Sequence, residues 1–293
     1  MGKTISVVIP TYNRAHLIQR AIESVQQQTY PDICQIIIVD DGSKDNTEEV
    51  VKQIKDDRLM YVKLEGNHGA GYARNRGAER ATGDYVAYCD SDDHWTNEKL
   101  ERQLEYMESV QADMCFHAME RRFPSGEVER VPDGFASKSR IVLPDIIPLN
   151  KASTQTFLLT NKCAKTNLFD EELPSLEDWE FAVRLCATGY KVAYFDEVLC
   201  IVERQNDSIS NNMESGFWTM NKILNHLMRK YNELLAFNNG AQPEGVIVYE
   251  GGEQFQQAMN IIHEMENSTS WKITAPIRKV KTLMNKVSGR GKK

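Results

Sequence analysis

The sequence lacks every feature that would span a membrane, cross-link a small fold or hold zinc. Nowhere in its 293 residues do 18 consecutive apolar residues occur, and no basic segment precedes a long apolar stretch at the N-terminus. Neither a bilayer-spanning helix nor a secretory leader is therefore expected. Six cysteines (Cys34, Cys89, Cys115, Cys163, Cys186 and Cys200) are scattered without a C-x-x-C pair or a His–Cys cluster at zinc spacing. They read as reduced, mostly buried thiols of a cytosolic chain. The motifs G-x-x-x-x-G-K-[ST], H-E-x-x-H and G-x-S-x-G are missing, which removes P-loop, zincin and serine-hydrolase readings based on motif. Gly69-Ala70-Gly71 begins like the dinucleotide fingerprint, but Arg74 stands where its third glycine belongs. There is no internal repeat and no low-complexity segment.

Acidic and basic residues are present in quantity and unevenly spread. Residues 271–293 hold eight basic side chains and no acid, which leaves residues 1–270 at −15 against a total of −7. So acidic a body argues against broad nucleic-acid binding.

Four short β-rich runs, Ile5–Ile9, Ile36–Val39, Leu59–Val62 and Tyr85–Tyr88, recur about every 25–30 residues. Segments of helical period lie between them, carried by Leu17, Ile18, Ala21, Ile22 and Val25, then Val50, Val51 and Ile54, then Tyr72, Ala73, Gly77 and Ala78. Strand and helix alternating at that interval predict a mostly parallel sheet covered by helices on both faces. Further along, a strand is expected at Met114–Arg122, a turn at Pro124-Ser125-Gly126, a helix over Glu177–Ala187, and two strands near Val192–Phe195 and Val198–Val202. An apolar stripe predicts another helix from Glu214 to Phe237, and one more is expected from Glu253 to Asn267.

Ligands of such sheets bind beyond the carboxyl ends of the strands, and the unusual polar residues cluster there. Asp90-Ser91-Asp92-Asp93 directly follows the fourth run. Carboxylates at a strand end suit a hard divalent cation, Mg²⁺ or Mn²⁺, whose other ligands come from substrate phosphates and water. Taken alone, such a turn more often caps a following helix, here one beginning near Thr96. Asp40 and Asp41 close the second run; adjacent strand residues face opposite ways, so one of the two is expected in a pocket. The alternative is a turn through Gly42 and Ser43 into a helix capped by Ser43 or Asp45. Tyr12 offers a stacking surface, and Arg14, Arg74 and Arg76 offer phosphate partners, although any single arginine is as well explained by a solvated face. His68 and His94 adjoin the site and read as ordinary polar residues. Glu177-Asp178, ahead of Trp179, opens a helix where acids favour the positive dipole end.

The combination is more specific than its parts. Ile9-Pro10-Thr11-Tyr12-Asn13-Arg14, Val39-Asp40-Asp41-Gly42-Ser43, Asn67-His68-Gly69 with Ala73-Arg74-Asn75, Asp90-Ser91-Asp92-Asp93 and Glu177-Asp178-Trp179 resemble the ordered motif set of family 2 inverting glycosyltransferases of the GT-A fold. The resemblance covers about residues 4–210. It implies an α/β nucleotide-binding domain over residues 1–212, to which the apolar stripes add a helical extension over 213–270 and the charge distribution a basic tail over 271–293. It implies transfer of a hexosyl or N-acetylhexosaminyl group from a UDP-sugar to an acceptor hydroxyl with inversion, assisted by Mn²⁺ or Mg²⁺. By motif position Pro10, Thr11, Tyr12 and Asp41 would hold the uridine. Arg14, Asn67 and Arg74 would fix the diphosphate or ribose, Ser91 would line the donor site, Asp92 would bind the metal directly, and Asp90 would contact ribose or a metal-bound water. Asp178 would be the general base and Glu177 would orient the acceptor. One departure stands out: where many members place a histidine after the last core strand, this chain reads Glu203-Arg204-Gln205-Asn206-Asp207-Ser208, with Gln205 at that position.

Two other readings compete. A nucleotide-sugar nucleotidyltransferase would share the sheet and the metal, but would need a Gly-rich basic triphosphate loop after the first strand, which is absent. An inactive nucleotide-binding scaffold is disfavoured by the intact Asp92 and Asp178. In the tail, Ile277, Val280, Met284 and Val287 form one helical face, with Pro276 in the first turn and Trp271 ahead of it. That pattern reads as peripheral attachment to an anionic membrane surface, the inner face of the cell membrane, where a lipid-linked or surface-glycan acceptor would be met, the alternatives being a disordered solvated tail or a docking segment for another protein. Self-association is also possible through the helical extension.

Overall fold

All four apolar runs are strands. The structure, a computed structural model, describes residues 2–146 and 152–203. β1 (Ile5–Thr11), β2 (Ile33–Asp40), β3 (Leu59–Lys63) and β4 (Tyr85–Tyr88) pair in parallel. α1 (Ile18–Gln26), α2 (Thr47–Gln53) and α3 (Ala70–Arg80) fill the crossovers. β1 and β4 are buried along their whole length, as the continuous apolar runs require of central strands covered on both faces. Gly77 of α3 lies directly on β1: a Cβ there would sit 2.2 Å from Val8 Cγ1, so only glycine permits this approach.

Beyond β4 the sheet changes direction. Among the described residues it has nine strands in the order β3-β2-β1-β4-β8-β6-β9-β5, with β7 paired to β6. The added strands are β5 (Asp93–Trp95), β6 (Met114–Arg122), β7 (Val128–Val131), β8 (Leu158–Thr160) and β9 (Val192–Glu203), with α4 (Lys99–Ser109), α5 (Leu143–Ile146), α6 (Asn161–Thr166) and α7 (Glu177–Ala187). β8 runs antiparallel to β4 and β6, whereas β6 and β9 are parallel. Two apolar layers cover the sheet. One centres on α1, α4 and the β1–β2 face, and the other on Phe157, Phe169, Trp179 and Phe181.

The expected strand at Met114–Arg122, the turn after it and the helix at Glu177–Ala187 are present. Two details differ. The two strands expected after Val192 form one, β9, whose pairing with β6 shifts register about Ala118, so Asp196 and Glu197 are bulged out rather than ending the strand. The expected cap ahead of α4 is not Asp93, which belongs to β5; Glu98 precedes the helix and makes no side-chain cap bond. The expected helices at 214–237 and 253–267, the boundary at 212, Gln205 and the basic tail lie outside the described residues.

Candidate active site

The loops after β1, β2 and β3 are stitched together at one end of the parallel half. Asp41 N donates to Thr11 O at 2.9 Å, and Asn13 N donates to Ser43 Oγ at 2.8 Å. Lys44 N donates to Asn13 Oδ1 at 2.8 Å, and Arg14 N to Thr47 Oγ1 at 3.2 Å. Gly42, at φ +80°, lies so close to Gly66 that an added Cβ would be 2.7 Å from its carbonyl oxygen.

Within this frame the two aspartates part company, as alternation requires. Asp40 is fully buried; it accepts from Ser43 N at 2.7 Å and from the Tyr61 hydroxyl, and so forms the turn. Asp41 accepts from His68 N at 2.9 and 3.0 Å and from Gly69 N at 2.7 Å, tying β2 to the start of α3. Asn67 is exposed, its Oδ1 3.2 Å from Gly69 N. Pro10 is buried within β1, and Tyr12 is half-buried just past the strand. Thr11 Oγ1 is buried and finds no hydrogen-bond partner among the described residues, an open polar position at the mouth of the sheet.

The acidic turn follows β4. Arg14 Nε lies 4.0 Å from Asp92 Oδ2, and Arg20 Nη2 donates to the Asp92 carbonyl at 2.6 Å. Ser91 is buried, while the Asp90 and Asp92 side chains retain 24% and 31% exposure, enough to meet a ligand. Burial, then the neighbouring Asp90, pushes the Asp92 carboxyl above its usual range despite Arg14. Asp90 and Asp92 are the oxygen donors that a divalent cation would use at this turn. No group of three or more His, Cys, Asp or Glu side chains shaped to hold a metal occurs among the described residues. Two carboxylates completed by phosphate and water remain the donor set available.

Glu177 reaches this place from far along the chain. Arg74, on α3, donates from Nη2 to Asp90 Oδ1 at 2.8 Å and from Nη1 to Glu177 Oε1 at 2.6 Å. Leu176, at φ 61°, turns the chain into α7, whose first turn carries Glu177, Asp178 and Glu180. Asp178 Oδ1 accepts from Trp179 N at 2.7 Å. Trp179 is buried and donates from Nε1 to Ile146 O at 2.8 Å, anchoring the helix start.

Sequence reasoning assigned no role to the residues that hang this segment in place. Asn75 Nδ2 donates to Phe169 O at 3.0 Å and to Glu171 Oε1 at 2.9 Å, and Asn75 Oδ1 accepts from Phe169 N at 2.8 Å. Asn75 and Glu171 were visible beside the motifs, but nothing local shows that they meet. Arg20 gave no signal beyond its place on an amphipathic helix. Of the two histidines, His68 lies tilted against Tyr72, ring centres 4.6 Å apart, and His94 is half-buried in β5.

A parallel half whose strand ends gather Thr11, Asp41, Asp90 and Asp92, joined to a mixed half that returns Glu177 to Arg74 beside Asp90, defines a glycosyltransferase of GT-A-like fold. The chain belongs to glycosyl transferase family 2, whose family model matches residues 6–168. It is 33% identical to the putative teichuronic acid biosynthesis glycosyltransferase TuaG of Bacillus subtilis over 215 residues, 71% of this chain and 82% of that protein. It is 40% identical over 105 residues to WfaP of Escherichia coli, a UDP-Glc:alpha-D-GlcNAc-diphosphoundecaprenol beta-1,3-glucosyltransferase; the match takes in 36% of this chain and 41% of WfaP. The fold is similar to that of S. aureus TarS 1-349 in complex with UDP, at TM-score 0.67 and 21% identity, over 91% of this chain and 72% of that one. TarS 1-349 in complex with UDP-GlcNAc gives TM-score 0.62 at 24% identity, over 71% and 61%.

Proposed function

We propose that this glycosyltransferase takes a sugar from a UDP-sugar and passes it, with inversion, to a hydroxyl of a lipid-linked or surface glycan. The observation that carries the reading is the bridge through Arg74, which sets the start of α7 against the acidic end of β4. Donor-side and acceptor-side carboxylates thereby share one mouth. The comparisons support the donor class, because TarS was crystallised with UDP and with UDP-GlcNAc. The named activities of TuaG and WfaP support a surface-glycan acceptor.

In this reading Pro10, Thr11, Tyr12 and Asp41 receive the uridine, with the half-buried Tyr12 ring as its accessible contact. Arg14, Asn67 and Ser91 line the diphosphate and ribose, and Arg74 acts on them from beneath Asp90. Asp92, with Asp90 beside it, would hold Mn²⁺ or Mg²⁺, which supplies positive charge to the departing diphosphate. Asp178 takes the proton of the acceptor hydroxyl from the side opposite the leaving group, and Glu177 orients that hydroxyl. One base suffices for a single inversion. The positive end of α7 favours these anionic side chains. No helix among the described residues is long and apolar enough to cross a membrane, and we assign peripheral attachment at the inner face of the cell membrane to residues 271–293.

The test is Asp178→Asn, assayed after a panel of nucleotide-sugars has been screened by thermal stabilisation with and without Mn²⁺. The variant is expected to bind UDP like the parent and to lose transfer by at least about 10³-fold. A fully active Asn variant removes the base assignment, and indifference to every UDP-sugar removes the donor class.

A further inference from the structure

We infer that Arg74 is a positioning residue that couples the two sides of the site, so that what occupies Asp90 is felt at Glu177. The inference rests on the reading of Asp90 as a donor-side group and Glu177 as an acceptor-side group.

Arg74 is buried, with 6% of its side chain exposed, so its two ion pairs are shielded from solvent. Each terminal nitrogen serves one carboxylate, at 2.8 and 2.6 Å. A guanidinium is planar and its N–H groups form a rigid fork, so the two carboxylates are held at a fixed mutual angle. The third nitrogen, Nε, is buried with no partner among the described residues, and the Phe169 ring lies 5.6 Å from the guanidinium carbon. Asp90 and Glu177 therefore share one cation.

The base of the bridge is fixed. α3 lies against β1 at Gly77, where Val8 leaves no room for a side chain, and Asn75 grips Phe169 and Glu171 beside it. The two carboxylates stand on more adjustable ground: Asp90 just beyond a strand end, Glu177 just after the left-handed Leu176. Whatever draws Asp90 away, a cation or a ribose hydroxyl, leaves the charge of Arg74 to Glu177 and holds that carboxylate more firmly. Coupling of this kind is reciprocal. Neutralising Glu177 gives Arg74 wholly to Asp90 and makes Asp90 harder to recruit.

The experiment is a double-mutant cycle read by calorimetric titration of UDP in the presence of Mn²⁺. Glu177→Gln is expected to weaken UDP binding about fivefold with Arg74 present and to have no effect beside Arg74→Met. Unchanged affinity in Glu177→Gln, or an equal loss in both backgrounds, overturns the coupling; equal loss would mark plain through-space charge. Arg74→Lys covers the case in which the Met variant fails to fold. A lysine is a point charge on a flexible stem, so it should bind UDP yet lose the Glu177 effect, and retention of the full effect overturns the proposal. Failure of the wild type to bind UDP at all would instead strike the donor reading. The same four proteins compared by thermal unfolding would then judge the bridge, with additive shifts counting against it.

Discussion

Lys99 carries an ammonium group into the apolar layer behind the acidic turn. It is fully buried, donates to Gln103 Oε1 at 2.9 Å and stands 3.9 Å above the centre of the Trp95 ring. Burial pulls its pKa down to about 8 from 10.5, against the opposing effect of the thiols of Cys200, Cys89 and Cys115. Below about pH 8 the lysine is charged in both folded and unfolded chains, and the cost of burying the charge is present in full. Between about 8 and 10.5 the folded lysine is neutral while the unfolded one still binds a proton, so this group's contribution to stability rises with pH. The stability of the wild type relative to Lys99→Met should therefore rise by as much as about 3 kcal/mol between pH 7.5 and 10.5. Chemical denaturation at the two pH values measures it, and a flat difference refutes the assignment. The sequence showed Lys99 as one more charged residue on a helix. Its burial follows from the side of α4 that meets β6 and β9, which no local pattern reports.

At the level of elements, α3 joins the loops after β2 and β4 to the segment that opens α7, and Gly77 sets its distance from β1. Alanine there gains about 1 kcal/mol of helix propensity but drives a Cβ to 2.2 Å from Val8 Cγ1. Overpacking wins: Gly77→Ala is expected to lose about 1–2 kcal/mol, and Val8→Ala in the same chain to recover part of it. Urea denaturation decides, and an alanine variant as stable as the parent would show that the contact relaxes freely. In the parallel half β1, β2 and β4 were legible because they are largely buried on both faces and read as unbroken apolar runs, and β3, a partly exposed edge strand, was legible by its spacing from them. β8 was not, because three residues cannot display a period. β5 was hidden as a polar tripeptide directly after the acidic turn. β9 looked like two strands because Asp196-Glu197 interrupts its apolar run, and only its pairing with β6 shows that the chain continues.

For the molecule as a whole, charge separates an acidic body from a basic end, −15 over residues 1–270 and +8 over 271–293. Each cationic residue near an anionic bilayer contributes about 1 kcal/mol, screened by salt. Removing residues 271–293 should release the protein from phosphatidylserine-containing vesicles at low salt, while UDP binding persists; unchanged sedimentation with vesicles rules the tail out as the anchor. Motif order disclosed which loops form one mouth, because the ends of parallel strands must meet. The contacts Arg74–Glu177, 103 residues apart, and Asn75–Phe169, 94 apart, arise from the antiparallel return through β8, and sequence carries no record of that path.

The two walls of the site are built by different means. The loops after β1, β2 and β3 are fastened to one another mostly through main-chain N–H groups taken up by the side chains of Asn13, Asp41, Ser43 and Thr47, whereas Glu177 is held side chain to side chain by Arg74. Either set can be altered one codon at a time, but cutting the first leaves a main-chain N–H without its acceptor, while cutting the second frees only side chains. The segment that carries Glu177 is therefore the wall that single substitutions can reshape while the backbone stays in place.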